Sequence, residues 1–242
     1  MCTSGLGRLA SAPTLSLTPE SFEDPSNKGG DAIRRFRDDT GDDTGDDTGH
    51  DDVEASRLPD WWAGSQDPLV YVTFGSVAAG FGLFPDFYRD VVAALAEVRV
   101  RALLTLGEAG DPAALEPTAA NVHVERWWPQ QAVLPHAAAM VGHGGFGTTL
   151  AGLAAGLPMV VVPLFADQPD NARRVKAIGA GIVLEGGPAA VGELADAVRS
   201  VLDDGSHRAA AGRMAEEIRR LPPAAASVPF LEEMAQLRQR QH

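Results

Sequence analysis

Seven consecutive residues, 143–149, combine a histidine with three glycines and two threonines in the order HGGFGTT. Glycines let the main chain approach a ligand closely, and the free N–H groups at the start of a helix attract an anion. The pattern therefore favours a phosphate site built from main-chain N–H groups and two side chains: His143, Gly145, Phe146, Gly147 and Thr148. The alternative is a glycine turn with a threonine N-cap and a satisfied core histidine.

A second segment, RWWPQQ at 126–131, places two tryptophans side by side. Adjacent residues of an extended chain point in opposite directions, so only one of the two indoles can face the core. The other indole would be left to stack on a nucleobase, an interaction that contributes about 1–3 kcal/mol. The amide of Gln130 could then bond a ring edge or a ribose. Ordinary core packing is the alternative for either tryptophan.

A third segment, ADQ at 166–168, offers a carboxylate and an amide next to each other. A carboxylate beside a phosphate site is unfavourable unless it accepts hydrogen bonds from hydroxyl groups. A sugar would supply those hydroxyls, although Asp167 could instead be a helix N-cap. A base, a diphosphate and sugar hydroxyls together describe a nucleotide sugar.

The elements that must position these segments alternate along the chain. Apolar, β-branched runs predict strands at 68–76, 100–107, 121–127, 138–143, 157–165 and 179–185. Amphipathic segments predict helices at 85–98, 147–155, 171–178, 191–202, 206–220 and 227–239. Strands that are apolar on both faces, separated by helices, indicate an α/β fold with a doubly wound, Rossmann-like parallel sheet.

In such a sheet, ligands bind in the crevice beyond the carboxyl ends of the strands. Four loops that follow predicted strands are rich in glycine, amide, carboxylate, hydroxyl and aromatic groups: FGSVAAGFG, RWWPQQ, HGGFGTT and FADQPDNA. All four would lie on one edge of the sheet, and the opposite edge has nothing comparable. The sequence therefore predicts a binding site at this edge.

The net charge of −13 is concentrated in one segment, because residues 38–54 contain eight aspartates, one glutamate and no lysine or arginine. We expect residues 38–57, with their GDDT repeats, to be a disordered acidic linker. Calcium binding is the alternative, but the spacing fits neither an EF-hand loop nor a nonapeptide calcium repeat. The rest of the chain is only mildly acidic and has no basic stripe for nucleic acid.

No run of about 18 apolar residues predicts a membrane span, and the N-terminus lacks the pattern of a secretory signal. A single cysteine, Cys2, excludes an internal disulfide and fits a reducing compartment. The expected location is therefore cytoplasmic. His123, His136 and His143 do not have the spacing of a metal-ligand triad, so no metal is expected.

Residues 127–175, WWPQQAVLPHAAAMVGHGGFGTTLAGLAAGLPMVVVPLFADQPDNARRV, resemble the donor-binding signature of inverting, UDP-glycosyltransferase-like GT-B enzymes, in particular the actinobacterial antibiotic and macrolide glycosyltransferases. The resemblance implies that Trp127 stacks on the base and that Gln130 lies near base or ribose. It implies that His143, Thr148 and the main chain of Gly145 to Gly147 contact the diphosphate, with Ser76 nearby. Asp167 and Gln168 would hold the hydroxyls of the donor sugar.

The chain departs from this family in two ways. Plant relatives carry a ribose-binding glutamate where this chain has Ala151, and a deoxyribose donor would need that carboxylate less, so a dTDP-sugar becomes plausible. GT-B enzymes also have an N-terminal domain that binds the acceptor and carries the general base. Here residues 1–37 resemble only the end of that domain, and residues 58–242 would form the donor-binding domain. A truncated product, a misassigned start and half of a split enzyme all stay open.

The resemblance implies transfer of a hexose from a dTDP- or UDP-sugar, with inversion, to a hydroxyl of a small natural product such as a macrolide. No cofactor is implied, no catalytic base is expected in this chain, and the partners would be the nucleotide sugar, the aglycone and a separate acceptor domain or auxiliary protein. One alternative is a catalytically silent nucleotide-sugar-binding module. Another is a nucleotide-sugar epimerase, whose catalytic carboxylates are not evident.

Overall fold

The computed structural model describes residues 14–23, 33–38 and 58–239. These residues form two compact units, of which the second covers 58–215 and the first contains the described residues before it together with 216–239. The sequence predicted a single domain over 58–242, whereas residues from Glu216 onward group with the N-terminal segment. Except for Asp38, the predicted acidic linker at 38–57 lies outside the described residues.

Eight strands occur in the described residues, and each is parallel to its neighbours: β1 (Thr14–Ser16), β2 (Ile33–Arg35), β3 (Leu69–Thr73), β4 (Arg101–Thr105), β5 (Val122–Glu125), β6 (Ala139–Gly142), β7 (Met159–Val161) and β8 (Gly181–Val183). In the second unit, six of them form one sheet in the order β5-β4-β3-β6-β7-β8. Every residue of β3 and β6 is buried, as expected for apolar strands that are covered on both faces.

Seven α-helices occur in the described residues: α1 (Asp86–Ala96), α2 (Gln130–Val133), α3 (Phe146–Ala154), α4 (Gln168–Ala177), α5 (Leu194–Asp203), α6 (Gly205–Arg220) and α7 (Val228–Gln239). Apolar residues of α1 and α5 share one core cluster with alternate residues of the strands. Buried residues of α3 and α4, such as Leu153 and Val175, lie outside that cluster, and α3 packs against the opposite side chains Met140 and Met159. The predicted α/β fold is therefore confirmed.

The strand order reverses between β3 and β6. From β3 the chain proceeds outward through β4 to β5, and it then returns to the other side of β3 to form β6, β7 and β8. This order creates a switch point, where the loops after two adjacent strands diverge and leave a crevice. The loops that begin at Phe74 and at His143 meet there.

Several predicted boundaries shift for local reasons. The strand predicted at 157–165 shortens to β7 because Pro163 cannot donate to the ladder. α4 begins at Gln168, three residues before the predicted start, since Pro169 lies in the first turn, where its missing N–H is harmless. Residues 187–193 form a 3-10 helix, which delays α5 to Leu194.

In the first unit, β1 and β2 form a two-stranded parallel sheet. Phe22 and Phe36 are buried, and the half-buried ion pair between Arg35 and Glu23 is 2.7 Å long. The main-chain N–H of Arg37 donates to Pro222, which attaches this segment to the end of α6.

Candidate functional site

His143 occupies a space that two glycines keep open. The side chain follows the last residue of β6 and is only 9% exposed. A Cβ atom on Gly145 would lie 2.3 Å from His143 Nε2, and one on Gly75 would lie 3.0 Å from the same nitrogen. Gly75 also has a left-handed backbone, with φ of +81°. Any side chain at either position would displace the imidazole, so the glycines are required for space.

The protonation of His143 is set mainly by its burial, which lowers the pKa of the ring below 6.5. The main chain of Thr73 and the charge of Asp167 act in the opposite direction. Nδ1 is buried and has no hydrogen bond of normal geometry to any described residue. The ring is therefore neutral near pH 7 and offers one N–H donor and one acceptor nitrogen.

Helix α3 begins three residues after the histidine, at Phe146. Its N-cap is Gly145, and the first helical hydrogen bond runs from Thr149 N–H to Gly145 O at 2.9 Å. The N–H groups of Phe146, Gly147 and Thr148 precede that bond, and they face outward with the positive end of the helix dipole. A threonine is not the N-cap, so the alternative reading of this loop as a simple capped turn is wrong on that point.

Gly147 differs from the other glycines of the loop. A Cβ atom added there would find no described atom within 4 Å, so the space beside the first turn of α3 is open. The Thr148 side chain is half-buried next to it. In the loop after β3, the main-chain oxygen of Ser76 accepts from Glu108 N–H at 3.2 Å, and the residue stays exposed.

The two tryptophans after β5 have different environments, as the alternation of an extended chain predicts. Trp127 is 51% exposed. Trp128 is half-buried and packs edge-on against Trp61, with ring centroids 4.9 Å apart. Trp127 is thus the more exposed of the two indoles.

Gln130 is the first residue of α2, and its side chain lies close to the hydroxyl of the buried Tyr71. That hydroxyl also makes a 3.3 Å hydrogen bond with Thr105 Oγ1. Burial raises the pKa of Tyr71, and the hydrogen bonds offset part of this rise. The buried hydroxyl of Tyr71 is therefore a polar contact for Gln130, and the sequence did not predict it.

The loop after β7 presents an exposed carboxylate and a buried amide. Asp167 stands at the N-cap position of α4, yet its side chain makes no capping hydrogen bond with the described main chain. The side chain of Gln168 is almost fully buried, and its Oε1 accepts from the N–H groups of Leu164 and Phe165 at 2.8 and 2.9 Å. Only its amide nitrogen is left for a sugar hydroxyl. Ala166, directly before Asp167, has a strained φ of +57°.

Asn171 connects the loops after β6 and β7, and the sequence reading gave it no role. The side chain is 2% exposed, and Nδ2 donates to Gly144 O at 2.9 Å and to Asp167 Oδ2 at 2.8 Å. The four-residue spacing from Asp167 is a signal for side chains on one helical face. The bond to Gly144, 27 residues earlier, has no local signal.

The predicted site residues share one edge of the sheet in a definite order. Across the strands the order is Trp127 and Gln130 after β5, Ser76 after β3, the 143–148 loop after β6, and Asp167 with Gln168 after β7. With strand spacings of about 4.8 Å, the loops after β5 and β6 are about 14 Å apart. His143 and Asp167 are close enough to influence each other electrostatically.

In 14–23, 33–38 and 58–239, no three or more histidine, cysteine, aspartate or glutamate side chains converge as metal ligands would. None of the helices in these ranges has both the length and the apolar character needed to cross a bilayer.

Comparison with known proteins identifies relatives for most of the chain. The 4'-demethylrebeccamycin synthase of Lentzea aerocolonigenes is 37% identical over 161 residues, which are 66% of this chain and 37% of that protein. The crystal structure of CalG4, the calicheamicin glycosyltransferase, covers 91% of this chain with 27% identity and a TM-score of 0.72. The crystal structure of the glycosyltransferase VinC in complex with dTDP covers 74%, with 29% identity and a TM-score of 0.63.

These relatives are longer than this chain, which spans 52% of the CalG4 chain and 44% of the VinC chain. They are GT-B glycosyltransferases. The prediction that this chain has the fold of one half of a GT-B enzyme is therefore confirmed. The family model described as "Erythromycin biosynthesis protein CIII-like, C-terminal domain" matches residues 89–234. Because this match covers more than half of the chain, the chain belongs to the erythromycin biosynthesis protein CIII-like C-terminal domain family.

Proposed function

We propose that this chain binds a dTDP- or UDP-hexose and provides the donor half of an inverting glycosyltransferase. The acceptor would be a hydroxyl of a small natural product such as a macrolide or another polyketide. One observation carries the proposal: the loops follow one another along the sheet edge in the same order as the parts of a nucleotide sugar. Along the sheet edge, the aromatic Trp127 and the amide Gln130 lie at one side, the glycine-rich loop with His143 lies in the middle, and the carboxylate of Asp167 lies beyond it.

The diphosphate would lie against the first turn of α3. The N–H groups of Phe146, Gly147 and Thr148 point toward this space, and the open volume beside Gly147 would accommodate phosphate oxygens. The neutral His143 ring would donate one hydrogen bond, and the Thr148 and Ser76 hydroxyls would add others. These donors would stabilise the charge that grows on the leaving diphosphate, and the removal of one such donor typically slows a reaction by about 10²–10³-fold.

The base and the sugar would bind on either side of the diphosphate. Trp127 would stack on the base, and Gln130, held from below by Tyr71, would bond the base or the ribose. Asp167 would accept hydrogen bonds from sugar hydroxyls, and the amide nitrogen of Gln168 would donate to one. Ala151 on α3 offers no carboxylate to a ribose, so we expect dTDP to bind at least as well as UDP.

The remaining parts of the reaction belong outside this domain. We assign no general base to this chain, and the acceptor site would belong to a second domain or a partner protein. VinC, one of the solved relatives, is described in complex with dTDP, which supports a nucleotide diphosphate as the ligand class. The proposal includes neither a metal ion nor a cofactor, because the helix N-terminus and the imidazole supply the electrostatic stabilisation.

Titration calorimetry with thymidine, dTDP and UDP tests this function. We expect dTDP to bind much more tightly than thymidine, because the diphosphate contacts are absent in the nucleoside. Replacement of Trp127 by Ala should cost about 1–3 kcal/mol for both thymidine and dTDP, since stacking involves only the base. A wild-type chain that binds neither dTDP nor UDP would contradict the proposed function.

A further inference from the structure

Asn171 links the loop after β6 to the loop after β7 through one amide group. Nδ2 makes two short hydrogen bonds, 2.9 Å to the main-chain oxygen of Gly144 and 2.8 Å to Oδ2 of Asp167. The Asn171 side chain is 2% exposed, so the donor end of both bonds is shielded from water. An amide nitrogen has two hydrogens, and here each has a partner.

The orientation of this amide follows from its partners. A main-chain carbonyl and a carboxylate can only accept hydrogen bonds, so the nitrogen, and not the oxygen, must face them. The oxygen Oδ1 lies 3.4 Å from Arg174 Nη1 on the next turn of α4. No other side-chain orientation would satisfy Gly144 and Asp167 together.

The two partners of Asn171 belong to different parts of the candidate site. Gly144 follows His143 and has a φ of +86°, a backbone conformation that redirects the chain into the first turn of α3. Asp167 is exposed and makes no capping hydrogen bond with the described main chain of α4, so the bond from Asn171 fixes its carboxylate. The loops also touch directly, since a Cβ on Gly144 would lie 3.0 Å from Gln168 O.

We propose that Asn171 is a positioning residue that holds the Asp167 carboxylate at a fixed distance from the diphosphate-binding loop. Both ends of one nucleotide sugar can then engage the domain at the same time. The inference rests on the proposed function, because it assumes that the loop after β6 binds the diphosphate and that Asp167 binds the sugar. Asn171 itself touches neither ligand group and acts through its two partners.

A double-mutant cycle with two probes tests this role. The variants are Asn171→Ala, Asp167→Ala and the combination, and calorimetry gives the affinity of each for dTDP and for dTDP-glucose. We expect Asn171→Ala to weaken dTDP-glucose binding by roughly tenfold more than dTDP binding. When Asp167 is already absent, Asn171→Ala should add little to the loss for dTDP-glucose, because its effect passes through that carboxylate.

Asn121 provides a matched control within the same unit. Its Nδ2 also donates twice, to the main-chain oxygens of Leu95 and Val98 at 3.0 and 3.1 Å, at the opposite end of β5. Asn121→Ala should lower the thermal unfolding midpoint and leave both affinities unchanged. Asn171→Asp keeps the shape of the side chain but opposes Asp167 with a second carboxyl group, so it should weaken dTDP-glucose binding at least as much as Asn171→Ala.

The outcomes separate this inference from the proposed function. Equal losses for dTDP and dTDP-glucose, or additive effects of the two substitutions, would overturn the positioning role while dTDP binding to the wild type supports the nucleotide site. If the wild-type chain binds neither probe, both the proposed function and the role of Asn171 fail. Selective, non-additive loss of dTDP-glucose affinity would support the role.

Discussion

Two histidines in the same unit have opposite environments. His123 on β5 stacks on Trp61 with ring centroids 4.2 Å apart and planes 14° from parallel, and its Nε2 lies 2.9 Å from Glu125 Oε1. His143 after β6 has glycines instead of aromatic rings beside it, and its Nδ1 lacks a hydrogen bond of normal geometry to the described residues. His123 has a stacking partner and a hydrogen-bond partner. His143 has a ring nitrogen without a described hydrogen-bond partner and glycines without side chains beside it.

This difference separates a structural histidine from one that is available to a ligand. The aromatic side chains of Trp61, Trp62, His123 and Trp128 pack against one another. The glycine loop around His143 excludes side chains and so leaves space at the switch point of the sheet. A missing partner alone is not sufficient, however, because the hydroxyl of Tyr88 is also unpaired among the described groups and lies in the apolar core.

Substitution of Gly145 by Ala should have the largest effect on this contrast. The new Cβ would lie 2.3 Å from His143 Nε2 and displace the ring, because Gly75 limits movement on the other side. We expect dTDP affinity to fall by at least about 30-fold, from loss of a charge-assisted hydrogen bond, and stability to fall by about 1–3 kcal/mol. Titration calorimetry and urea unfolding measure the two effects.

Gly212→Ala is the control for that substitution. A Cβ at this position in α6 meets no described atom within 4 Å. The change should stabilise the helix by up to about 1 kcal/mol and leave dTDP affinity unaltered. Normal dTDP binding by Gly145→Ala would show that the space beside His143 is not part of the site.

Replacement of His123 by Ala should affect folding and not binding. The substitution removes the stack on Trp61 and leaves Glu125 without its partner, which should cost about 1–3 kcal/mol of unfolding free energy. The affinity for dTDP should stay within about twofold of the wild type, since His123 makes its described contacts with Trp61, Trp62 and Glu125, which are not candidate site residues. Urea unfolding followed by Trp fluorescence, with calorimetry on the same protein, measures both quantities; a large loss of affinity would remove the distinction between the two histidines.

Tyr88→Phe tests whether an unpaired buried atom by itself indicates a ligand. Burial raises the pKa of the Tyr88 hydroxyl to about 12, and the group has no hydrogen-bond partner in the described core. Removal of the hydroxyl should increase the unfolding free energy by up to about 1 kcal/mol without changing dTDP affinity. Thermal unfolding and calorimetry are sufficient to measure this, and a lower stability would indicate a partner for the hydroxyl.

The smallest expected effect is the pH dependence of stability. Because burial lowers the pKa of His143 below 6.5, the unfolded chain binds more protons than the folded chain between the two pKa values. The neutral ring therefore makes its full contribution to folding stability above about pH 6.5. This contribution decreases as the pH falls from the unfolded pKa toward the lower folded pKa. His143→Gln should reduce this slope in urea unfolding measured from about pH 7.5 to about pH 5.5, and an unchanged slope would argue against a buried neutral ring.

The sequence was sufficient to predict the α/β fold and the edge that carries the candidate site. Strands such as 68–76 and 138–143 are apolar on both faces, which is typical of a parallel sheet, and the glycines after them indicate close main-chain approach. Boundaries were less accurate, as at Leu194, because a 3-10 helix and an α-helix share the same local preferences. The strand order emerged only from the structure, since pairing between β3 and β6 depends on contacts distant in sequence.

The site was predicted as a set of residues, but not as a connected network. Trp127 and His143 could be selected because their types and positions after strands indicate specific chemistry. The support that Tyr71 gives to Gln130, and the bond from Asn171 to Gly144, depend on side chains that come together only in the folded unit. The local sequence also gave no sign that Gln168 Oε1 would be occupied by main-chain N–H groups.

A dTDP titration of the wild type and of His143→Ala tests the central claim most directly. The account predicts that loss of the imidazole weakens dTDP binding by about 10–150-fold, equivalent to about 1.5–3 kcal/mol for a hydrogen bond to a charged group. Thymidine binding and the cooperative unfolding transition should be retained in the variant. If dTDP binds the folded His143→Ala variant as tightly as the wild type, His143 does not contact the diphosphate and the assignment of this loop is wrong.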